Sequence, residues 1–422
     1  MDKRLPTILL WTGAVLFVLP LLLWCYLLSP MPGSQTLDVF ALSYYLDKSL
    51  FWTQILGGML LVWPLSLKFK TGRVKPLLSA VGIILLCGGV WYMRTMFMNA
   101  ERMFYKPVKT AFLKADRDTL PRDVAVLGVS SGNVHRAYPM YLLSYHHQIH
   151  DTLAGQPLLI TYCIMCRSAR VFVPKVKDTN LTFRLVGMNH FNAILEDEQT
   201  GSWWPQASGI AEMGPMKGDT MPEWPGEQMS LSSWLAKHPD SDIFQIDTEN
   251  PNDVSRFKSF DKYRASLKGD DRDWVAGVVA GGEVRAYPWK TLVEKRVIND
   301  TLDGKALVVA VEPDSVSFHV WSRIVAAPVN SGKSDTTKAE VTGANDTLST
   351  PSAKIANYVM RTLTFAPAKG ILMIDLETNS LWNHTGRCVN GPLSGAQLKT
   401  LPGYQEYWHS WQRFHPTTTK FR

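Results

Sequence analysis

Residues 124–234 of this chain are echoed at 273–411, and a chain that repeats itself must build the same local structure twice. Val126–Pro139 (VLGVSSGNVHRAYP) returns without a gap as Val275–Pro288 (VAGVVAGGEVRAYP), and His150–Ile160 returns at the same offset as Asn299–Val309. Further on, Asp197, Thr200, Ser202, Trp204 and Gly214-Pro215 are matched by Asp375, Thr378, Ser380, Trp382 and Gly391-Pro392. Trp234 and His238-Pro239 are matched by Trp411 and His415-Pro416. The copies part at one place. Cys163-Ile164-Met165-Cys166 becomes Glu312-Pro313-Asp314-Ser315, His146 becomes Lys295, and His150 becomes Asn299. Packing constrains both copies, whereas a site is needed only once. The shared residues therefore read as scaffold, and the Cys/His cluster as a feature of the first copy alone.

At 422 residues the chain exceeds one ordinary domain. Its first hundred residues are strongly apolar, with runs at about 5–29, 51–67 and 76–96. Each approaches the roughly 20 residues that cross a bilayer core as a helix. A cleaved signal peptide is the competing reading of the first run, but the run is long for one and no clean small-x-small site follows. Lys3 and Arg4 precede it, and Lys68, Lys70, Arg73 and Lys75 lie between the second and third runs. The positive-inside bias puts both on the cytoplasmic side. Three spans then leave the body outside the cytoplasm, on an inner-membrane, multi-pass anchor, whereas two spans would leave it inside.

The net charge of +7 is spread out, with no basic arm or aromatic-basic platform, so nucleic acid is not an expected partner. The membrane is, together with an unidentified protein or small molecule. No Gly-rich phosphate loop, G-x-S-x-G elbow or H-E-x-x-H motif is present, so no nucleotide cofactor is implied. Of five cysteines, Cys25 and Cys87 fall in the apolar runs and Cys388 stands alone. Only Cys163 and Cys166 form a motif.

Within the first copy, Val124–Val129 and Val134–Tyr138 read as strands around a Ser-Gly turn. Pro139 then suits the first turn of a helix. On that helix His146 and His150 sit one turn apart on the same border, and His147 points away. The apolar run 157–162 reads as a buried strand that delivers Cys163 at its end. Leu181–Val186, Asn192–Asp197 and Ser202–Gln206 read as further strands, and Ser230–His238 as a short helix. The charged stretch 247–272 reads as a linker, and the Ser/Thr/Gly-rich stretch 326–356 as a mobile insertion. The expected architecture is α+β and β-rich. Residues 1–100 form a membrane anchor with three transmembrane helices. Two tandem related units follow, 101–246 carrying the CxxC/His site and 273–422 degenerate.

Several segments together resemble a prokaryotic family, the domain of unknown function numbered 3179. They are Ala137-Tyr138-Pro139, Tyr145-His146-His147, Asp151-Thr152, Thr161-Tyr162-Cys163-Ile164-Met165-Cys166-Arg167-Ser168, the spaced set Asp197, Thr200, Ser202, Trp204, Gln206, and Gly214-Pro215. The resemblance covers residues 122–245 and extends in degenerate form into the second copy. That family typically carries Pro and Gly where Ile164 and Arg167 stand, and Trp-His-Glu where Tyr145-His146-His147 stands. The family's name assigns no activity.

Four chemistries compete for the Cys/His cluster. Two thiolates three residues apart, completed by imidazoles of His146, His150 or His190, suit a transition metal, zinc or copper. A strand leading into CxxC also suits thiol–disulfide exchange, with Arg167 or His146 favouring a thiolate. A structural disulfide or buried thiols would make the site a non-catalytic scaffold or binding module. Covalent haem needs CxxCH, and Arg167 stands at the His position, so no haem is expected. Asp151 and Asp197 recur as Asp300 and Asp375, which favours structural work over catalysis.

Overall fold

Inside a bilayer a charge-free run of Leu, Val and Trp would have to satisfy its backbone as a helix, and the first element is a helix, α1 (Leu5–Leu27). Helices α2 (Phe40–Lys70) and α3 (Val74–Tyr92) follow. In the computed structural model, which describes residues 4–107, 109–249, 254–258, 273–328 and 358–422, all three are long and apolar enough to cross a membrane. α3 continues as a π-helical turn to Phe97. α2 begins well before the apolar stretch at 51. Its first turns are built into the body, where Lys48 pairs with Glu196 at 2.5 Å and Phe40 and Tyr44 pack edge-on against Trp203.

Two compact units emerge. The first comprises Met1–Gly277 with Tyr404–Thr418, the second Val278–Gly403 with Thr419–Arg422. The first unit therefore takes in a C-terminal stretch that sequence comparison groups with the second copy.

In the first unit, β1 (Ala111–Lys114), β2 (Ala125–Ser131) and β3 (Val134–Pro139) join Asp242–Gln245 and Gly226–Ser230 in a five-stranded sheet. The short helix α4 (Ala100–Met103) precedes this sheet. Helix α5 (Met140–His146) leads into β4 (Gln148–Leu153), β5 (Gln156–Cys163) and β6 (Ser168–Phe172), a three-stranded antiparallel sheet. A third sheet pairs Phe183–Asn189, Asn192–Asp197 and Trp203–Pro205. Helix α6 (Leu231–Lys237) starts on a Ser230 cap. It drives Trp234 against Gly128, where a Cβ would meet the indole at 2.1 Å.

The predicted helix through His150 is shorter than expected. α5 stops at His146 because His147 turns to φ +61, and the chain re-enters a hairpin. Ala154 and Gly155 form its two-residue turn, both at positive φ, a geometry that matches the twist of paired strands. His150 therefore lies on β4, not on the face of His146.

The residues read as scaffold do structural work. Asp197 accepts from the Thr200 N–H at 2.5 Å, the Ser202 N–H at 3.0 Å and the Trp204 indole at 2.9 Å. Asp151 accepts from Arg136 at 2.5 Å and from the Tyr138 hydroxyl.

Within the second unit, Asp375 accepts from the Thr378 N–H at 2.6 Å and the Trp382 indole at 2.8 Å. Asp300 accepts from Arg285 and from Tyr287, each at 2.7 Å. Val297–Leu302, Lys305–Val311 and Phe318–Ser322 form an antiparallel sheet, with Asp303-Gly304 as its first turn. At the position of the first cysteine, Glu312 bonds His319 at 2.7 Å. The insertion read at 326–356 lies outside the described residues from 329 onward, as does most of the linker read at 247–272.

Candidate functional site

β5 is apolar over Leu158–Ile160 and buried on both faces, so it carries Cys163 into the core at its last residue. The chain turns over Ile164–Arg167 and returns as β6, pairing Ser168 with Cys163. Arg167 closes that turn at φ +56. This left-handed conformation suits glycine, the residue the resembled family carries there, and Arg167 adopts it at a cost of about 1–2 kcal/mol. Its guanidinium lies 3.5 Å over the Trp274 ring and donates to Gln405 at 3.2 Å, which holds it in place.

Cys163 and Cys166 are buried, are not disulfide-bonded, and differ in character. Burial disfavours a thiolate at Cys163, but hydrogen bonds from the Cys166 thiol and from the N–H groups of Cys166, Ala193 and Met165 outweigh it and hold its thiol below the ordinary value. Burial pushes Cys166 well up, and donating to an ionised Cys163 pushes it further. The pair is thus asymmetric, with Cys163 the easier of the two to ionise. When protonated, Cys163 donates to the Phe191 carbonyl at 3.3 Å.

That carbonyl belongs to a strained hairpin tip, with His190 at φ +50 and Phe191 at φ +62. The Phe191 N–H donates to Gln35 Oε1 at 3.2 Å, and Gln35 in turn donates to the Leu27 and Ser29 carbonyls at the end of α1. The Met188 N–H donates to the Leu28 carbonyl at 3.0 Å. At Gly187 a Cβ would lie 2.6 Å from that same carbonyl oxygen, so glycine is required for α1 to approach. The end of a membrane-type helix is thereby hydrogen-bonded, through one side chain, to the turn beside Cys163.

Cys166 is covered from the other side. The Tyr407 N–H donates to the Cys166 carbonyl at 2.9 Å. Next to it, Arg170 and Glu406 form an ion pair at 2.5 Å with side chains 3% and 1% exposed, and Ser410 donates to Glu406 at 2.7 Å. Tyr404 stacks beneath the Arg170 guanidinium at 4.1 Å.

The histidines expected as ligands are placed differently. The His146 Nδ1 lies 2.5 Å from the Tyr105 carbonyl, and its ring meets Phe244 edge-on. His150 stacks on Phe183, and burial followed by the charge of Lys106 lowers its pKa to about 4. His190 Nε2 lies 3.6 Å from Asp38 Oδ1, with burial and then Arg413 lowering its pKa against the pull of Asp38. The structure brings Cys163 and Cys166 together. Among the described residues, no group of three or more His, Cys, Asp or Glu side chains is assembled where it could hold one ion.

The imidazole that joins Cys163 is His147, which helical spacing had turned away. Both line a cavity of about 590 Å³. Five methionines line it as well (Met96, Met98, Met103, Met165 and Met188), with Leu28, Ser29 and Pro30 from the end of α1. His147 packs on Phe104 at 3.8 Å between ring centres. Burial, against the opposing Ser144 carbonyl, drives its pKa down to about 3, so the ring is neutral. Its Nδ1 is buried without a hydrogen-bond partner.

One signal in the sequence could have found this arrangement. Asp303-Gly304 is a strong hairpin dipeptide, and by the internal alignment it makes 148–153 a strand and breaks the helix at His147. Arg170, Glu406, Ser410 and the methionines leave no local signal.

Residues 106–418 match the model of a family described as a protein of unknown function (DUF3179), and the chain belongs to that family. Neither a curated protein nor a solved structure matches it.

Proposed function

We propose that this member of the DUF3179 family is a membrane-anchored thiol–disulfide redox protein, with Cys163 as the reactive thiolate and Cys166 as the thiol that closes the disulfide. The observation that carries the reading is the asymmetry of the pair: Cys163 lines the cavity and is the easier to ionise, while Cys166 is off the lining and is the harder. A thiolate attacks and a protonated partner resolves, which is the division of labour that exchange requires. Positive charge at Lys68, Lys70, Arg73 and Lys75 supports a body outside the cytoplasm, where disulfide chemistry is permitted. Under this reading 101–246 and 273–422 are tandem related units, and the second has lost the cysteines.

A second reading has its own observation. Five thioethers and a thiolate line one cavity, a donor set that suits copper(I). His146, His150 and His190 are not among the residues that line this cavity, so they would have no part as ligands there.

The full chain in detergent decides between the two. Under the redox reading, Cys166→Ser traps a mixed disulfide with cystamine through Cys163, whereas Cys163→Ser traps none. Stoichiometric bound zinc or copper that disappears in Cys163→Ser, with no mixed disulfide in either variant, would overturn the redox reading in favour of the metal.

A further inference from the structure

The cavity beside Cys163 makes three demands on its occupant. It is lined by Leu28, Ser29 and Pro30, just past the end of α1, and by Met96 and Met98 from the turn that follows α3, so it lies beside the ends of two membrane-type helices. Its walls are largely apolar, and at about 590 Å³ it is sized for a ring with the start of a tail rather than a bare ion. Its wall also carries the neutral imidazole of His147. A neutral imidazole can hydrogen-bond a carbonyl or hydroxyl group, whereas a plain acyl chain offers it no partner. Thioethers such as Met165 and Met188 make favourable contacts with flat rings.

We infer that this cavity takes the headgroup of a lipid-soluble quinone, which oxidises the Cys163–Cys166 dithiol. The inference rests on the redox reading above and names its electron acceptor. The Cys163 thiolate and the Cys166 thiol give up two electrons and one proton and form one S–S bond. The quinone takes those two electrons, that proton and a second proton from solvent, and leaves as the quinol. Charge and atoms balance with no other reactant. His147 is a positioning residue that hydrogen-bonds one quinone oxygen, and the bilayer carries the product away.

The test uses the reduced full chain in vesicles, without oxygen, with a short-tailed benzoquinone as probe. One quinol forms per protein as two thiols disappear, and Cys163→Ser forms none. His147→Leu raises the quinone concentration needed for half-maximal rate about ten-fold. The disulfide form of the unaltered protein provides a second measurement independent of electron transfer, because the quinone raises its unfolding temperature. If cystamine exchanges with Cys163 but no quinol forms, the acceptor is wrong and the redox reading stands. If neither reacts, both fall. Stabilisation by anionic phospholipid vesicles with none by the quinone would assign the cavity to a lipid and overturn the inference.

Discussion

Removing Glu406 should be among the most damaging single changes to the body, because it strands a cation in the core. Arg170 is 3% exposed and Glu406 1%, and they meet at 2.5 Å. The other carboxylate near Arg170 is Glu223, 3.8 Å away and 38% exposed, a longer and better-solvated partner. Breaking a buried pair from one side typically costs 3–5 kcal/mol. With Glu223 as partial relief, Glu406→Ala should lose about 3 kcal/mol, or roughly 6 °C in unfolding temperature for a unit of this size. The double change Arg170→Met with Glu406→Leu removes both charges and keeps the volume filled. It should recover most of that loss, to within about 1 kcal/mol of the parent. Thermal unfolding of the detergent-solubilised chain, followed by tryptophan fluorescence, reads both, since Trp203, Trp204 and Trp234 are fully buried. A Glu406→Ala protein as stable as the parent, or a double variant worse than the single one, would refute the idea that this pair is desolvated and mutually dependent.

Two further outcomes follow from the same geometry. Gly187→Ala places a methyl group 2.6 Å from the Leu28 carbonyl oxygen, so the end of α1 and the hairpin must separate. It should destabilise the chain by about 1–3 kcal/mol in chemical unfolding, and an unchanged midpoint would show that the approach is loose. His147 ionises at about 3 when folded and near 6.5 when unfolded, so only the unfolded chain gains its proton as pH falls between those values. Its contribution to stability is fully present above pH 6.5 and declines below it. By pH 5 the loss is about 2 kcal/mol. His147→Gln should flatten this part of the stability–pH curve, and an unaltered slope would mean that the imidazole is solvated.

Much of the fold follows from local pattern. Leu5–Leu27 and its two apolar successors are helices, as apolar runs of membrane-spanning length lead one to expect. Ser230 caps a helix of seven residues. Asp197 and Trp204 recur as Asp375 and Trp382 because the same turn needs an acceptor for the same N–H groups. Where the reading failed, at His147–Leu153, strand pairing overrode helical periodicity. The Tyr162 N–H donates to the His147 carbonyl at 3.0 Å, and β4 pairs with β5 along its whole length. Tyr138, Leu142 and Ile149 do share an apolar core, but Ile149 reaches it from a strand.

The sequence by itself determined where the two sulfurs sit in their own segment, at the end of an apolar strand and across a tight turn. That much depends on residues near one another in the chain. What surrounds the sulfurs was decided only by tertiary packing. His147 and Cys163 line one cavity, Gln35 supports Phe191 from a helix far upstream, and Glu406 meets Arg170 across 236 positions of chain. Hydrophobic periodicity encodes which face of an element is buried, not which distant element buries it, so these partners emerge only when the whole unit closes.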